Sequence, residues 1–256
     1  MTRMKRNITH LAFFLTTCVF LWGGYSQSTQ GELNPKAMIQ NVFSRQGLLE
    51  GSWIIDISAT SVQNNEINTA GVRVYFYNKE KQIVVFTAPE KLKDGSYLVI
   101  GYNTWMYEKK LKRPLRISAQ QKLFGDAGIA ETAGIDYVDD YRILKMIEHE
   151  TTLEIDLKAL DLKTAYQQAQ IWLQRDDLKL KQIILMALNG KPLKRLQYSN
   201  FQMINGHEMA KIEIQNLLYE KDRKTILEFM NIRGGDLPLQ AFDPLMMDKY
   251  PVLLKF

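Results

Sequence analysis

A period of two in the placement of apolar side chains runs through most of the chain from residue 52 onward. In residues 53–58, and again in residues 72–77, every second side chain is large and apolar. Successive side chains of a β-strand point to opposite faces of the sheet, so this period is typical of strands with one apolar face. The chain is therefore predicted to be mainly β, with Arg73, Tyr75 and Tyr77 on the wet face of their strand.

Turn signals, rather than helices, separate the strand candidates. Asn189-Gly190 and Asn205-Gly206 are dipeptides that tight hairpins favour. Residues 82–87 are apolar throughout their middle, so the pattern does not assign their inward face. The whole predicts an antiparallel meander of about 10–11 strands without a β-α-β rhythm. The further candidates are residues 97–100, 104–108, 115–118, 153–157, 169–174, 182–188, 193–199, 209–215 and 225–231.

An amphipathic helix is predicted before the strands. Asn34 is a capping residue, Pro35 suits the first helical position, and Gly47 ends the segment. This short helix cannot cover the apolar face of a large sheet. The sheet must therefore curve over that face as a barrel, half-barrel or sandwich. Periodicity is compatible with a packed interior and with a hollow one. The apolar stripe of the helix consists of Met38, Ile39, Val42 and Phe43.

The first 26 residues have the organisation of an export signal. Arg3, Lys5 and Arg6 precede an apolar core at residues 11–22, and cleavage is predicted after Ser26. That core is shorter than the about 20 apolar residues that cross a bilayer, and a retained anchor is the alternative. Residues 27–256 contain no break in composition and are predicted to be one periplasmic domain.

Composition excludes several classes of protein. Cys18 is the only cysteine and lies in the export segment, so the mature chain has no disulfide, thiol nucleophile or cysteine metal site. Without the basic residues of that segment, basic and acidic side chains are nearly equal in number. This balance, together with export, argues against a nucleic-acid partner.

The mature chain shows no spacing that supports catalysis or a resident cofactor. His149 and His207 are each followed by glutamate, but neither has a second histidine four residues on, as a zinc helix requires. No serine lies in a glycine-flanked nucleophile turn. We therefore expect no enzymatic activity, no cofactor and no metal.

An acidic cluster follows Glu131. Asp136, Asp139 and Asp140 supply oxygen ligands, but their spacing lacks the glycine and final glutamate of a calcium loop. Capping of a strand end, pairing with Arg142 and binding of a cation are all compatible with this pattern.

Residues 98–141 are the most informative stretch of the chain. They run from a strand at 98–100, through a turn at 101–103, to an aromatic strand at 105–107, the triplet 116–118 and a segment rich in glycine and aspartate. This order resembles the outer-membrane lipoprotein-sorting family, the LolA-like periplasmic carriers. The similarity covers most of the mature chain, in residues 71–76, 171–173, 190–193, 216, 225–230, 237–238 and 242.

The resemblance implies an incomplete antiparallel β-barrel with a short helical lid over an apolar cavity. It also favours a loop and then a strand from about Ala165, where periodicity alone is compatible with a helix over residues 157–171. The implied function is a periplasmic carrier that binds lipoprotein acyl chains or a related lipid and moves them toward the outer membrane. Its partners would be an inner-membrane transporter and an outer-membrane acceptor. The alternative is an accessory subunit that docks on an inner-membrane exporter of the RND type without carrying free lipid.

Two sets of apolar residues are predicted to form the site that the resemblance implies. Ordinary core packing is the alternative for each residue, because alternation is first of all a packing signal. The inward-facing large residues predicted to line the acyl-chain cavity are Trp53, Ile55, Val72, Val74, Phe76, Trp105, Tyr107, Ile155, Ile171 and Leu173. The residues predicted to form the lid are Met38, Val42, Phe43, Leu123, Phe124 and Ile129.

Overall fold

An antiparallel sheet of 13 strands organises the computed structural model, which describes residues 34–48, 50–219 and 223–255. The predicted export segment, with its cleavage point after Ser26, lies outside the described residues. Within those residues, no helix is both long and apolar enough to cross a membrane.

Helices contribute little of the described chain. The predicted first helix is confirmed as α1, Pro35–Ser44, and the Asn34 side chain accepts hydrogen bonds from the backbone N–H groups of Lys36 and Ala37 at 3.1 and 3.2 Å. Gly47 follows with a φ of +65°, the left-handed conformation that ends a helix without strain in glycine. The other α-helices are α2, Ile129–Ala133, and α3, Tyr250–Leu253. Short 3-10 helices span Glu90–Leu92, Leu239–Phe242 and Pro244–Lys249.

The strands follow one another as a meander. In chain order they are β1 Ser52–Gln63, β2 Glu66–Tyr77, β3 Lys81–Ala88, β4 Gly95–Ile100, β5 Asn103–Glu108, β6 Leu115–Ile117, β7 Lys122–Phe124, β8 Ala127–Gly128, β9 Tyr141–Glu148, β10 Thr152–Ala159, β11 Gln168–Gln174, β12 Leu180–Met186, β13 Pro192–Ile204, β14 His207–Asn216 and β15 Arg223–Gly234. The large sheet has the order β6-β5-β4-β3-β2-β1-β15-β14-β13-β12-β11-β10-β9, and β7 and β8 form a separate hairpin.

The large sheet is curved but does not close. Its edge strands, β6 and β9, do not pair with each other. Residues 118–140, here called the insert, connect these two edges and contain β7, β8 and α2. The predicted mainly β fold, an incomplete antiparallel barrel, is confirmed.

The sheet has 13 strands, more than the predicted 10–11, and β9 is the strand that no candidate range covers, because alternation fails there. Ile143 pairs with Leu157 and Lys145 with Asp156, so Leu144 is an extra residue that shifts the register. A bulge of this kind interrupts the period of two. The predicted loop after β10 is confirmed, and β11 begins at Gln168 rather than near Ala165.

Strand β3 is buried on both faces, which explains its unbroken apolar middle. Val84 and Phe86 join the larger core on the inner face, where α1 and the insert also lie. Ile83 and Val85 join a second core on the outer face. Tyr75 is buried there as well, so the prediction of a wet outer face was wrong for this part of the sheet. The C-terminal residues that cover this face are Leu237, Ala241, Phe242, Met247, Tyr250 and Leu254.

Truncation of Met247 is expected to destabilise the protein through the second core. Met247 is 2% exposed, and Met→Ala changes in a packed core cost about 2–5 kcal/mol. Leu245, 76% exposed in the same segment, is the matched control, and Leu245→Ala should change the free energy of unfolding by no more than about 0.5 kcal/mol. Urea unfolding measures both. Equal losses for the two variants would contradict the assignment of a core to the outer face.

Candidate functional site

An apolar cavity of about 150 Å³ lies between the inner face of the sheet and the insert. Its wall combines strand residues from both sides of the β1–β15 pairing with residues of α2 and of the loop after it. The apolar lining residues include Phe43, Leu48, Ile55, Ile57, Val74, Phe76, Val138, Leu196, Met209, Ile212 and Phe229.

A polar cleft of about 530 Å³ adjoins this cavity. The two share the side chains of Lys79, Gln82 and Asp136 and residues 133–135 of the insert. The apolar cavity therefore continues into a cleft with charged side chains, an arrangement that suits a molecule with a hydrocarbon part and a polar part.

Ion pairs occupy the acidic cluster at this cleft. The ammonium of Lys79 lies 3.3 Å from Asp136 and also bonds Asp139, and this hydrogen bond to Asp139 raises the pKa of Lys79. Tyr102 donates its hydroxyl to Asp140 at 3.0 Å, and burial raises the pKa of Asp140. Among the residues that the structure describes, no three of His, Cys, Asp and Glu are placed to hold a metal ion. The cluster pairs with a lysine in this structure.

A buried ion pair anchors the insert to the sheet. Lys194 Nζ on β13 lies 2.7 Å from Glu131 Oε2 on α2, and the two side chains are 7% and 0% exposed. The same carboxylate accepts hydrogen bonds from the Tyr166 hydroxyl and from the backbone N–H of Gly128. Burial, followed by the charge of Glu131, raises the pKa of Tyr166 strongly, so its hydroxyl remains a donor.

The tip of the β7–β8 hairpin is fixed at a second point. The backbone N–H of Asp126 donates to Thr225 Oγ1 at 2.7 Å. Gly125 has a φ of +57° and lies against Ser61 and Thr225, which leave no room for a Cβ atom. The insert thus reaches across the inner face from β6 to the β1–β15 pairing.

Aromatic rings connect α1 to the cavity. Phe43 stacks on Tyr137 of the insert with ring centroids 5.1 Å apart. After the helix, the Gln46 carbonyl accepts a hydrogen bond from His207 Nδ1 at 2.6 Å, and Trp53 meets the His207 ring edge-on at 4.6 Å. These contacts hold the end of α1 beside the cavity.

The structure brings part of the predicted acyl-chain set to this cavity. Ile55, Val74 and Phe76 line it. Five further residues of the set lie elsewhere in the main core: Trp53, Val72, Ile155, Ile171 and Leu173. Trp105 and Tyr107 pack on the outer face against the second core, because it is Met106 of the same strand that points inward.

The predicted lid residues all lie on the inner face. Phe43 lines the cavity, Met38 and Val42 are buried beneath α1, and Ile129 is buried at the start of α2. Leu123 and Phe124 of β7 are partly buried against the main core.

Several cavity residues were absent from the predicted set. Leu196 and Tyr198 lie on β13, and Phe229 lies on β15. Alternation located these strands, and the same counting could have identified the inward positions. Tyr137 and Glu131 carried no comparable signal, because they belong to an irregular segment and a helix of five residues.

Removal of the Lys194 charge is expected to leave the Glu131 carboxylate buried without its cation. Breaking one partner of a buried pair costs about 3–5 kcal/mol, so Lys194→Met should lower the free energy of unfolding by that amount. The double variant Glu131→Gln with Lys194→Met should recover much of the loss. Lys93→Met, which breaks an exposed pair with Glu90, serves as the control and should have little effect. A double variant no more stable than Lys194→Met would contradict coupling between the two groups.

Solved structures with a similar fold come from several bacteria. A LolA superfamily protein from Nitrosomonas europaea is 18% identical with a TM-score of 0.73, and the match covers 83% of this chain and 98% of that one. A domain from Vibrio parahaemolyticus, described as outer membrane lipoprotein-sorting, is 17% identical with a TM-score of 0.63, over 81% and 95% of the two chains. A DUF1329 family protein from Desulfovibrio piger is 17% identical with a TM-score of 0.62, over 81% and 96%.

Sequence comparison adds a family to this fold. The curated proteins gave no match. A family model described as "-like: Uncharacterized protein" matches residues 78–249. This span contains the insert and most of the sheet. The chain has the LolA superfamily fold and belongs to the family that this model describes.

Proposed function

We propose that the protein is a periplasmic carrier of lipoprotein acyl chains or of a related lipid. The observation that supports this proposal best is the apolar cavity that lies between an open sheet and the insert. A lipid-modified molecule exposes hydrocarbon to water, and burial of each methylene is favourable by about 0.8 kcal/mol. Burial of one long acyl chain therefore contributes on the order of 12 kcal/mol of binding free energy. Carriage of this kind needs no catalytic group.

The cavity as described is smaller than such a cargo. An apolar cavity of about 150 Å³ accommodates a molecule the size of benzene. A fatty chain with its linkage needs several times that space, so the docked position of the insert, here called the closed form, leaves too little room for it. The insert is the element that has to move, because it fills the space between the sheet edges.

The contacts of the insert suit a part that docks and undocks. Its two polar anchors are the Glu131–Lys194 pair and the hydrogen bond of Asp126 to Thr225. A buried ion pair contributes little net stability relative to its separated, hydrated partners, yet fixes one geometry. Displacement of the insert by cargo also removes buried apolar contacts, those of Ile129 and Ala130 among them, so bound hydrocarbon has to replace these contacts. Release of the cargo then allows the insert to return.

The export segment predicted at residues 1–26 supports a periplasmic location. A carrier between two membranes would receive cargo from an inner-membrane transporter and deliver it to an outer-membrane acceptor. The polar cleft beside the cavity is placed to hold the hydrophilic part of the cargo. An accessory subunit that only docks on an exporter would have no use for a cavity that opens.

Phe76→Asp is expected to weaken the binding of a fluorescent fatty-acid probe by at least about tenfold, because a charge in the apolar wall opposes burial of hydrocarbon. Tyr77→Asp is the matched control: Tyr77 is the next residue of the same strand, is also half-buried, and packs on the outer face. Its probe affinity should stay within about threefold of the wild type. Equal losses, with both variants folded, would contradict the assignment of the ligand to the inner face.

Native mass spectrometry of the purified protein tests the carrier proposal itself. Co-purified lipid or saturable probe binding is the expected result. Absence of both would contradict the carrier and favour the docking subunit.

Thr225→Val is expected to loosen the tip of the insert and to raise probe affinity by up to about tenfold. The change leaves the Asp126 N–H without its acceptor, at a cost of about 1–3 kcal/mol to the closed form, and a ligand that competes with closure then binds more tightly. Thr104→Val is the control, because the buried Thr104 hydroxyl has no partner within the described residues. Faster amide exchange in residues 122–133 without any gain in affinity would contradict competition between insert and ligand.

A further inference from the structure

An unsatisfied hydroxyl borders the apolar cavity. Tyr137 is 5% exposed, lines the cavity, and its Oη has no hydrogen-bond partner within the described residues. Its ring is held between Phe43, at 5.1 Å, and Tyr141, at 5.7 Å. A buried hydroxyl without a partner destabilises a protein, so a donor that is retained in this position requires an explanation.

A second tyrosine belongs to the same wall. Tyr198 lies on β13 and lines the cavity together with Tyr137 and Glu131. Burial is the main cause that raises the pKa of Tyr137 and of Tyr198, and the negative charge of Glu131 contributes to both shifts. Both hydroxyls therefore stay protonated and can donate a hydrogen bond.

The surroundings select the kind of acceptor. The Glu131 carboxylate is already engaged by Lys194, Tyr166 and the backbone of Gly128, so its negative charge is balanced. Lys79, the ammonium that lines the cavity itself, is likewise paired with Asp136 and Asp139. An anionic ligand would therefore add a negative charge that neither ammonium is free to balance, which is unfavourable in an apolar site. An uncharged carbonyl oxygen accepts hydrogen bonds without that cost.

We infer that Tyr137, with Tyr198 beside it, binds the carbonyl oxygen of an acyl ester or amide. The inference rests on the proposed carrier function and adds a ligand class to it. The cavity recognises the linkage that joins the acyl chain to the rest of the cargo as well as the hydrocarbon. The site thereby favours esterified or amide-linked acyl chains over ionised free fatty acids and over ether-linked chains.

A pair of competitors that differ by one carbonyl tests this inference. Monopalmitoylglycerol and its hexadecyl ether share chain length and headgroup, and both are used to displace a fluorescent hydrocarbon probe without a carboxylate from the full chain. The wild type is expected to bind the ester about fivefold more tightly than the ether. Tyr137→Phe should bring the ratio close to one by weakening the ester alone, and Tyr198→Phe should reduce it.

Tyr250→Phe is the matched control. The Tyr250 hydroxyl is also buried without a partner within the described residues, but it lies in the second core on the outer face. Its removal should leave the ester-to-ether ratio unchanged. Tyr137→Phe should unfold at the same urea concentration as the wild type or at a higher one, because the lost hydroxyl had no partner to lose.

Each result bears on a distinct statement. Equal binding of ester and ether by the wild type, as expected if a resident water satisfies Tyr137, would overturn the inference and leave the carrier intact. Persistence of the ester preference in Tyr137→Phe and Tyr198→Phe would overturn the role of these tyrosines. Failure of both compounds to displace the probe, with no saturable probe binding, would remove the carrier proposal and this inference with it.

Discussion

Coverage of an apolar sheet face by the segment that joins the sheet's own edges is the constraint on which the structure depends. Antiparallel strands with a period of two present one face that water cannot solvate favourably. Here the sheet curves without pairing β6 to β9, so curvature alone does not remove that face from water. The insert and α1 complete the burial, and the space that they do not fill is the cavity. The candidate site is thus a by-product of how an open sheet is covered.

The insert is fixed by directional polar contacts in addition to the packing of buried residues such as Ile129 and Ala133. Glu131 lies at a single position of a five-residue helix and is bonded by a strand, a loop and its own helix start. A pair of this kind defines which residues meet, since each buried charge tolerates few partners. Tyr137 Oη, which has no hydrogen-bond partner among the described residues, then becomes informative, because the neighbouring carboxylate of Glu131 is fully engaged.

Alternation in the sequence located nearly all strands of the sheet, and caps located α1, because both signals are local. Alternation failed as a signal where bulges or a second core interrupted the pattern of one apolar and one polar face. The bulge at Leu144 concealed β9, and the second core made the outer face apolar, so the inward face of β3 could not be assigned. Trp105 and Tyr107 were predicted to face inward, whereas Met106 between them does. Lys194 and Glu131 are separated by 63 positions, and nothing in either neighbourhood indicates their pairing. Long-range polar contacts have no period to detect.

The connection between β6 and β9 also ties the two margins of the sheet together, because residues 118–140 are attached covalently to both. At about 3.3–3.6 Å for each residue, this segment could extend to roughly 75 Å, well beyond the span of its present helix and hairpin. The margins can therefore separate to admit a guest while the segment unfolds, and the tether between them stays attached throughout.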